Sequence, residues 1–123
     1  QWLVFLEGGG WCWDAASCSP PAQRRRGTSS EFPRTRAAVA VWSRRLKGVL
    51  ESSHRSPLRD WHVAYVRSCS NDAFLGDSSP LEAAAGREPG PGWHFRGRRI
   101  VEAALEDLRR RSGLGGADFV LYG

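Results

Sequence analysis

Three short segments of the chain have the apolar pattern of buried strands. Trp2–Leu6 and residues 118–122 carry continuous apolar runs, and residues 61–67 are rich in β-branched and aromatic side chains. Continuous apolar runs suit strands that are covered on both faces by helices, as in a doubly wound sheet. We therefore predict an α/β architecture in which the three strands lie in one mostly parallel sheet with flanking helices.

A helix is predicted over residues 97–112, directly before the third strand. Apolar side chains recur there at i, i+3, i+4 and i+7, which places them on one face: Val101, Ala104, Leu105 and Leu108. Residues 109–111 are arginines in the last turn, where cations suit the helix dipole, and Gly113 is a natural C-cap. A helix that leads into a strand is the second half of a β-α-β crossover, which favours parallel strands.

Two further segments have no clear period and are predicted to be loops. Residues 17–36 are crowded with Ser, Pro and Arg, and residues 78–92 are rich in Pro, Gly and Ala. Between these two segments, residues 37–42 are apolar, and residues 44–50 contain both charged and apolar side chains. Their pattern does not distinguish helix from strand.

The length and composition favour one small globular unit. The chain has 123 residues, of which 41% are hydrophobic and 25% are charged, so it can hold one domain with a core. No apolar stretch approaches the roughly 18 residues of a membrane-spanning helix. The first residue is Gln1 and the chain contains no Met, a pattern typical of a segment excised from a longer protein. A signal peptide can therefore be neither identified nor excluded.

The chain is basic, and nearly all of its positive charge is arginine. The formal net charge is +5, and Lys47 is the only lysine among 18 basic residues, which leaves 17 arginines. They cluster at positions 24–26, 44–45, 98–99 and 109–111. Such clusters can bind nucleic acid or acidic polysaccharide, or can simply form a solvated surface. No nucleic-acid-binding motif accompanies the charge, so we expect no nucleic-acid partner.

The three cysteines are Cys12, Cys18 and Cys69. An odd number in an excised segment indicates one local pair and one residue whose partner lies elsewhere. A zinc site is disfavoured, because two cysteines six positions apart without a nearby histidine do not have the usual ligand spacing.

The segment after the first strand carries the most chemistry. Gly8, Gly9 and Gly10 follow the strand, and glycines allow a sharp turn that directs backbone N–H groups into a cavity. An oxyanion hole is built in this way in α/β-hydrolases, where one donor comes from a glycine-rich loop after an early strand. By itself the triplet is a modest signal, and a plain tight turn or a phosphate-binding loop is the more common reason for it.

The surrounding residues resemble the family of pectin acetylesterases and Notum-type carboxylesterases. The stretch WLVFLEGGGWC at 2–12 is similar to the segment that opens their hydrolase core, and VRSCSNDAFLGD at 66–77 resembles the stretch after the next core strand. A third match runs from residue 95 to LYG at 121–123, where the family continues into a Gly-x-Ser-Ala-Gly nucleophile elbow. Gly123 would be the first glycine of that elbow. Residues 37–43 depart from the family pattern.

The resemblance implies a fold and several roles. The chain would be the N-terminal part, residues 1–123, of a single α/β-hydrolase domain, truncated at the elbow. Gly10 and Trp11 match the positions whose backbone N–H groups form part of the oxyanion hole, with Gly8 and Gly9 supporting that loop. Trp11 could also wall the acyl pocket or be a core aromatic residue. Cys12 and Cys18 fit a small disulfide after the hole, with unpaired buried cysteines as the alternative.

The resemblance places the serine triad beyond the chain, because all three of its members follow the elbow in this fold. His54, His62 and His94 precede Gly123, so we expect them to have structural roles. Asp72 and Asp77 are expected to accept hydrogen bonds that order their loop. Asp72 is also a candidate for contact with substrate.

The function implied is that of a carboxylesterase that removes an acyl group, such as acetyl from a polysaccharide, without a metal or another cofactor. The expected partners are an acylated polysaccharide or other ester and, through the arginine clusters, acidic polysaccharide. The resemblance and the cysteines together imply an extracellular or secretory location. The rival interpretation is a small basic module that binds an anionic polymer and does no chemistry.

Overall fold

The structure is a computed structural model that describes residues 1–43, 46–51, 56–78, 94–116 and 118–122. It contains three strands, four α-helices and one 3₁₀ turn within that part of the chain. Their bounds are β1 Trp2–Leu6, α1 Ala15–Cys18, α2 Pro21–Arg26, α3 Arg36–Ser43, the 3₁₀ turn Gly48–Leu50, β2 His62–Val66, α4 Gly97–Arg111 and β3 Phe119–Tyr122. None of the described helices is long and apolar enough to cross a membrane.

The three strands form one parallel sheet in the order β2-β1-β3, as the apolar pattern predicts. Trp2 of β1 stands opposite His62 of β2 and opposite Phe119 of β3. Trp2, Leu3 and Val4 are all buried, although neighbouring strand residues face opposite sides of a sheet. Both faces of the central strand are therefore covered. β2 is more open, since His62 and Val63 are exposed.

Helix α4 connects β2 to β3 across the central strand, which confirms the predicted crossover. It ends one residue earlier than predicted, and Gly113 follows with a φ of 76°. That left-handed conformation is easy for glycine and costs other residues free energy. It allows the Leu114 N–H to donate to the Leu108 carbonyl at 3.3 Å, and Leu114 is buried.

The prediction of a continuous loop over residues 17–36 is wrong, because the segment contains the end of α1 and all of α2. Local residue preferences start both helices. The Asp14 side chain accepts from the Ser17 N–H at 2.7 Å in a capping box, and Pro21 takes the first position of α2, where its missing N–H costs nothing. Helices of four and six residues are too short to display a helical period.

The undecided segment at 37–42 belongs to helix α3, Arg36–Ser43. Of residues 44–50, the last three form the 3₁₀ turn, and 44–45 lie outside the described residues. The predicted loop at 78–92 also lies outside them, apart from Ser78.

Much of the described core lies around the carboxyl ends of β1 and β2 rather than between helices and sheet. The buried apolar residues are Trp2, Leu3, Val4, Cys12, Cys18 and Leu114, and the buried polar residues are Ser56, Ser70, Asn71 and Asp72. The loops that follow β1 and β2 thus contribute fully buried side chains.

Candidate active site

Two loops leave the sheet side by side at the carboxyl ends of β1 and β2. The ladder between the strands extends one residue beyond β1, because the Glu7 N–H donates to the Val66 carbonyl at 2.9 Å. The glycine-rich loop, residues 8–12, then follows β1, and the second loop, residues 67–77, follows β2. In open parallel sheets ligands bind in the crevice outside the carboxyl ends of the strands.

The glycine-rich loop presents a run of unpaired backbone donors. The N–H groups of Glu7 and Cys12 are paired, the latter to the Asn71 carbonyl at 3.1 Å. Within the described part of the chain, the four N–H groups between them, those of residues 8–11, have no hydrogen-bond acceptor. Unpaired N–H groups beside a cleft can donate to a substrate oxygen, which an oxyanion hole requires.

A cleft of about 380 Å³ opens along this loop. It is lined by residues 6–11 and, from the second loop, by Ser68, Ala73 and Phe74. Trp11 is 69% exposed and lines the cleft, so it is not a core aromatic residue. The cleft therefore joins apolar walls to a row of backbone donors, a combination common to ligand sites.

Close packing explains two of the three glycines. A Cβ on Gly10 would collide with the side-chain amide of Gln23 in α2, and a Cβ on Gly9 would lie 3.1 Å from the Ser68 hydroxyl oxygen. A Cβ on Gly8 would meet nothing within 4 Å. Gly10 therefore allows α2 to approach the loop closely, whereas Gly8 is not required for packing.

The predicted disulfide between Cys12 and Cys18 is present, with the two Cα atoms 5.1 Å apart. Both cysteines are buried, and the bond joins the end of the glycine-rich loop to the last residue of α1. At the start of α1, hydrogen bonds from the Ser17 hydroxyl and N–H hold the pKa of Asp14 below its usual value. The loop is thus fixed to a capped helix directly after Trp11.

Asn71 holds the two loops and α2 together. Its side chain is fully buried and donates from Nδ2 to the Gln23 carbonyl at 2.6 Å, while its own carbonyl accepts from Cys12. Asn71, Ala73 and Phe74 have φ angles of 53°, 52° and 61°, in the left-handed region. Asparagine tolerates this region better than alanine or phenylalanine, so the second loop stores backbone strain where Ala73 and Phe74 line the cleft.

Asp72 connects the second loop to helix α4. Its Oδ1 accepts from the Ser70 hydroxyl at 2.6 Å and from the Phe74 N–H at 3.2 Å, and its Oδ2 accepts from the Gly97 N–H at 2.6 Å. Gly97 is the first residue of α4, where an N–H lacks a partner within the helix and a negative charge is favourable. Asp72 is buried and does not line the cleft, and its contact with substrate stays a prediction.

Glu7 anchors the opposite end of the glycine-rich loop. Its Oε2 accepts from the Ser68 N–H at 2.9 Å and lies 3.6 Å from the Arg67 Nε. Burial, together with the negative charge and hydrogen bond of Glu7, raises the pKa of Tyr65 to about 12. Burial and then the charge of Asp72 raise the pKa of the Cys69 thiol, which has no disulfide partner among the described residues. A thiol that stays protonated is a poor nucleophile, so Cys69 does not suit nucleophilic chemistry.

Neither of the two described histidines lies in the cleft. His62 is at the start of β2, away from the carboxyl ends, with its ring 4.8 Å from that of Trp2. His94 is exposed just before α4, Asp77 forms an ion pair with Arg99, and His54 and Gly123 lie outside the described residues. The sequence reasoning missed Asn71 and Gln23, which shape the site through long-range contacts. The one local signal was an asparagine in a loop, a residue that favours positive φ.

Comparisons with known proteins find related sequences along the whole chain. The family model described as Pectinacetylesterase matches residues 1–122. Pectin acetylesterase 5 of Arabidopsis thaliana is 35% identical over 110 residues, which are 88% of this chain and 23% of that protein. The palmitoleoyl-protein carboxylesterase NOTUM of Homo sapiens is 30% identical over 125 residues, 98% of this chain and 22% of that protein.

Pectin acetylesterase 7 of Arabidopsis thaliana is 30% identical over the whole of this chain and 28% of its own length. The chain thus spans roughly a quarter of the length of the curated relatives that it matches. No solved structure matches it significantly.

Proposed function

Because this chain belongs to the pectinacetylesterase family, we propose that it supplies the oxyanion-hole part of a serine carboxylesterase. The observation that carries the proposal is the row of four unpaired N–H groups at residues 8–11, beside a cleft at the carboxyl ends of two parallel strands. The names of the relatives support ester hydrolysis as the reaction class.

The proposed fold is the N-terminal part of an α/β-hydrolase domain, and residues 1–123 belong to that single domain. The parallel β2-β1-β3 sheet and the crossover through α4 support this assignment. In that fold β3 would lead into the nucleophile elbow, and the serine, the acid and the histidine of the triad would all lie beyond residue 123.

In the proposed mechanism the serine hydroxyl loses its proton to the histidine and attacks the ester carbonyl carbon, and the carbonyl electrons move onto oxygen. The N–H groups of Gly10 and Trp11 donate to that developing oxyanion, and the amide after the serine is the further donor. The alcohol leaves with a proton from the histidine, and water then hydrolyses the acyl-enzyme. Each oxyanion-hole donor is worth about 2.7–4 kcal/mol of barrier. The reaction uses no metal or other cofactor.

The proposed substrate is an acyl ester, with acetyl on a polysaccharide as the first candidate, and Trp11 walls the acyl site. The disulfide supports an extracellular or secretory location, because such bonds persist in oxidising compartments. A contact between acidic polysaccharide and the arginine clusters is proposed on their charge alone. The second candidate function, a basic module that binds an anionic polymer without chemistry, is favoured by the arginines of α2, which have no acidic partner among the described residues.

Hydrolysis of a chromogenic acetyl ester separates the two functions. We expect turnover from the protein that carries this segment at its full natural length, and its loss with a serine-directed inhibitor. The 123-residue chain alone is expected to show only background hydrolysis, because the oxyanion loop cannot supply a nucleophile. Turnover by the short chain that the inhibitor abolishes would place the nucleophile within residues 1–123. An inactive full-length protein that still binds polyanions would favour the second candidate.

A further inference from the structure

A second pocket lies beside the cleft, and it is strongly polar. It has a volume of about 280 Å³ and is lined by Arg25 and Arg26 of α2, by Arg67 of the second loop, and by Thr28, Glu31 and Phe32, among others. We call it the arginine pocket. Three guanidinium groups around one small cavity are a common arrangement for binding an oxyanion, because each offers a planar fork of donors.

The charges in the arginine pocket do not cancel. Arg67 is balanced by Glu7, 3.6 Å away, and lies over the Phe32 ring at 4.3 Å, so its position is fixed. Arg25 and Arg26 have no ion-pair partner within the described part of the chain. Glu31 is the remaining carboxylate in the lining, which leaves one positive charge in excess. Two unpaired guanidinium groups are therefore available to an incoming anion.

The arginine pocket adjoins the candidate active site. Glu7, Gly8 and Ser68 line both the pocket and the cleft. A Cβ on Gly8 would meet nothing within 4 Å, so no packed side chain stands beside Gly8 where the two cavities meet. An anion in the arginine pocket could thus belong to the same molecule as an ester in the cleft.

We propose that the arginine pocket is a binding subsite for an anionic group of the substrate, a carboxylate or sulfate on a sugar unit next to the acylated one. This proposal rests on the proposed esterase function and deepens it, because it assigns the recognition of charge to Arg25 and Arg26 rather than to the arginine clusters in general. Anion binding next to the cleft positions the ester carbonyl against the N–H groups of Gly10 and Trp11.

The test compares pocket and non-pocket arginines of the same chain. Arg25→Gln/Arg26→Gln removes the two unpaired charges of the pocket. Arg24→Gln/Arg34→Gln removes two exposed charges that do not line it and leaves the same net charge. Both variants are made in the full-length protein and checked by circular dichroism. Calorimetry then measures binding of a uronic-acid oligosaccharide, a sulfated oligosaccharide and a neutral one, and turnover is measured on acetylated forms of each.

We expect the pocket variant to bind anionic oligosaccharides on the order of tenfold more weakly. Its KM for anionic esters should rise by a similar factor, whereas kcat should change little. The non-pocket variant and the neutral oligosaccharide should show no such loss. A larger loss with the carboxylate or with the sulfate identifies which anion the subsite takes. Equal losses in the two variants would overturn the proposal, since binding would then follow total charge.

The binding measurement does not depend on catalytic activity, so the esterase function and the anion subsite can be refuted separately. If the full-length protein has no esterase activity but its anion binding depends on Arg25 and Arg26, the subsite stands and the esterase function fails. If the protein is an active esterase whose KM for anionic esters is the same in both variants, the function stands and the subsite is wrong.

Discussion

At the scale of single residues, Gly10 is the position where a side chain is least tolerable in the glycine-rich loop. A Cβ there would collide with the Gln23 amide, whereas a Cβ on Gly8 has free space. We predict that Gly10→Ala lowers kcat/KM of the full-length protein and destabilises it by about 1 kcal/mol, the lower end of the usual cost of overpacking, because the end of the flexible Gln23 side chain can move away. Gly8→Ala is the matched control and should change stability little.

Removing the Gln23 amide should relieve the collision, which tests whether that contact causes the effect of Gly10→Ala. Gln23→Ala removes the amide that the new methyl group would meet, so the double variant should regain stability relative to Gly10→Ala. Urea unfolding of the four proteins forms a double-mutant cycle. Additive effects of the two substitutions would contradict the assigned contact.

Asp72 is the residue whose chemistry is most tightly specified, because its two oxygens accept from three donors. Asp72→Asn replaces one acceptor oxygen with a donor, which must then face another donor. We predict a loss of about 1–3 kcal/mol in the free energy of unfolding, the cost of an unsatisfied buried group. Asp77→Asn is the control, since Asp77 is exposed and its ion pair with Arg99 is worth at most about 1 kcal/mol. Equal losses in the two variants would refute the proposed link to α4.

At the scale of elements, the geometry of the candidate site depends on contacts between the two loops and the short helices α1 and α2. Helix α1 has four residues, too few to be stable alone, and the Cys12–Cys18 disulfide fixes it to the glycine-rich loop. Asn71 fixes the second loop to both the glycine-rich loop and α2. The N–H groups of residues 8–11 are thus positioned by covalent and hydrogen-bonded contacts outside the loop itself.

We predict that Cys12→Ser/Cys18→Ser lowers the free energy of unfolding by roughly 2 kcal/mol, the value for closing a short loop. Because the disulfide immediately follows Trp11, kcat should fall as well. Thermal unfolding and acetyl ester turnover of the oxidised full-length protein measure both effects. Ala16→Ser is the control, since Ala16 is exposed within the same disulfide loop, and it should lose much less activity. Unchanged kcat in the double variant would show that the disulfide does not position the oxyanion donors.

At the scale of the whole molecule, the described sheet has two edges and several exposed apolar groups. The order β2-β1-β3 leaves β2 and β3 each with one strand partner among the described residues. Val63 of β2 is 40% exposed, and Trp11, Trp13 and Leu75 are 69%, 67% and 79% exposed. Exposed strand edges and apolar patches promote association with other chains.

We therefore predict that the 123-residue chain, produced alone, is marginally stable and aggregates as its concentration rises. Light scattering after size-exclusion chromatography measures this. Val63→Lys places a charge on the edge strand and should reduce the association, as lysine does on natural edges. A monomer that unfolds cooperatively at high concentration, with or without the substitution, would contradict the prediction.

The sequence by itself determined the elements that follow from local pattern. Apolar runs specified β1 and β3, the 3.6-residue period and Gly113 specified α4, and the crossover made the strands parallel. The family resemblance carried by residues 2–12 implied the candidate oxyanion loop and the disulfide, of which the structure confirms the disulfide. In each case the information lies within a few consecutive residues, where backbone preferences and side-chain period act.

Only the tertiary structure decided how the loops meet. The contacts of Gln23 with Gly10, of Asn71 with Cys12 and Gln23, and of Asp72 with Gly97 join residues far apart in sequence. The short helices α1 and α2 and the left-handed backbone of Ala73 and Phe74 were likewise not predicted from the sequence pattern. Parallel strands bring the segments after β1 and β2 to the same edge, where burial and hydrogen bonding override local preference. The shape of the cleft and the charge of the arginine pocket arise there.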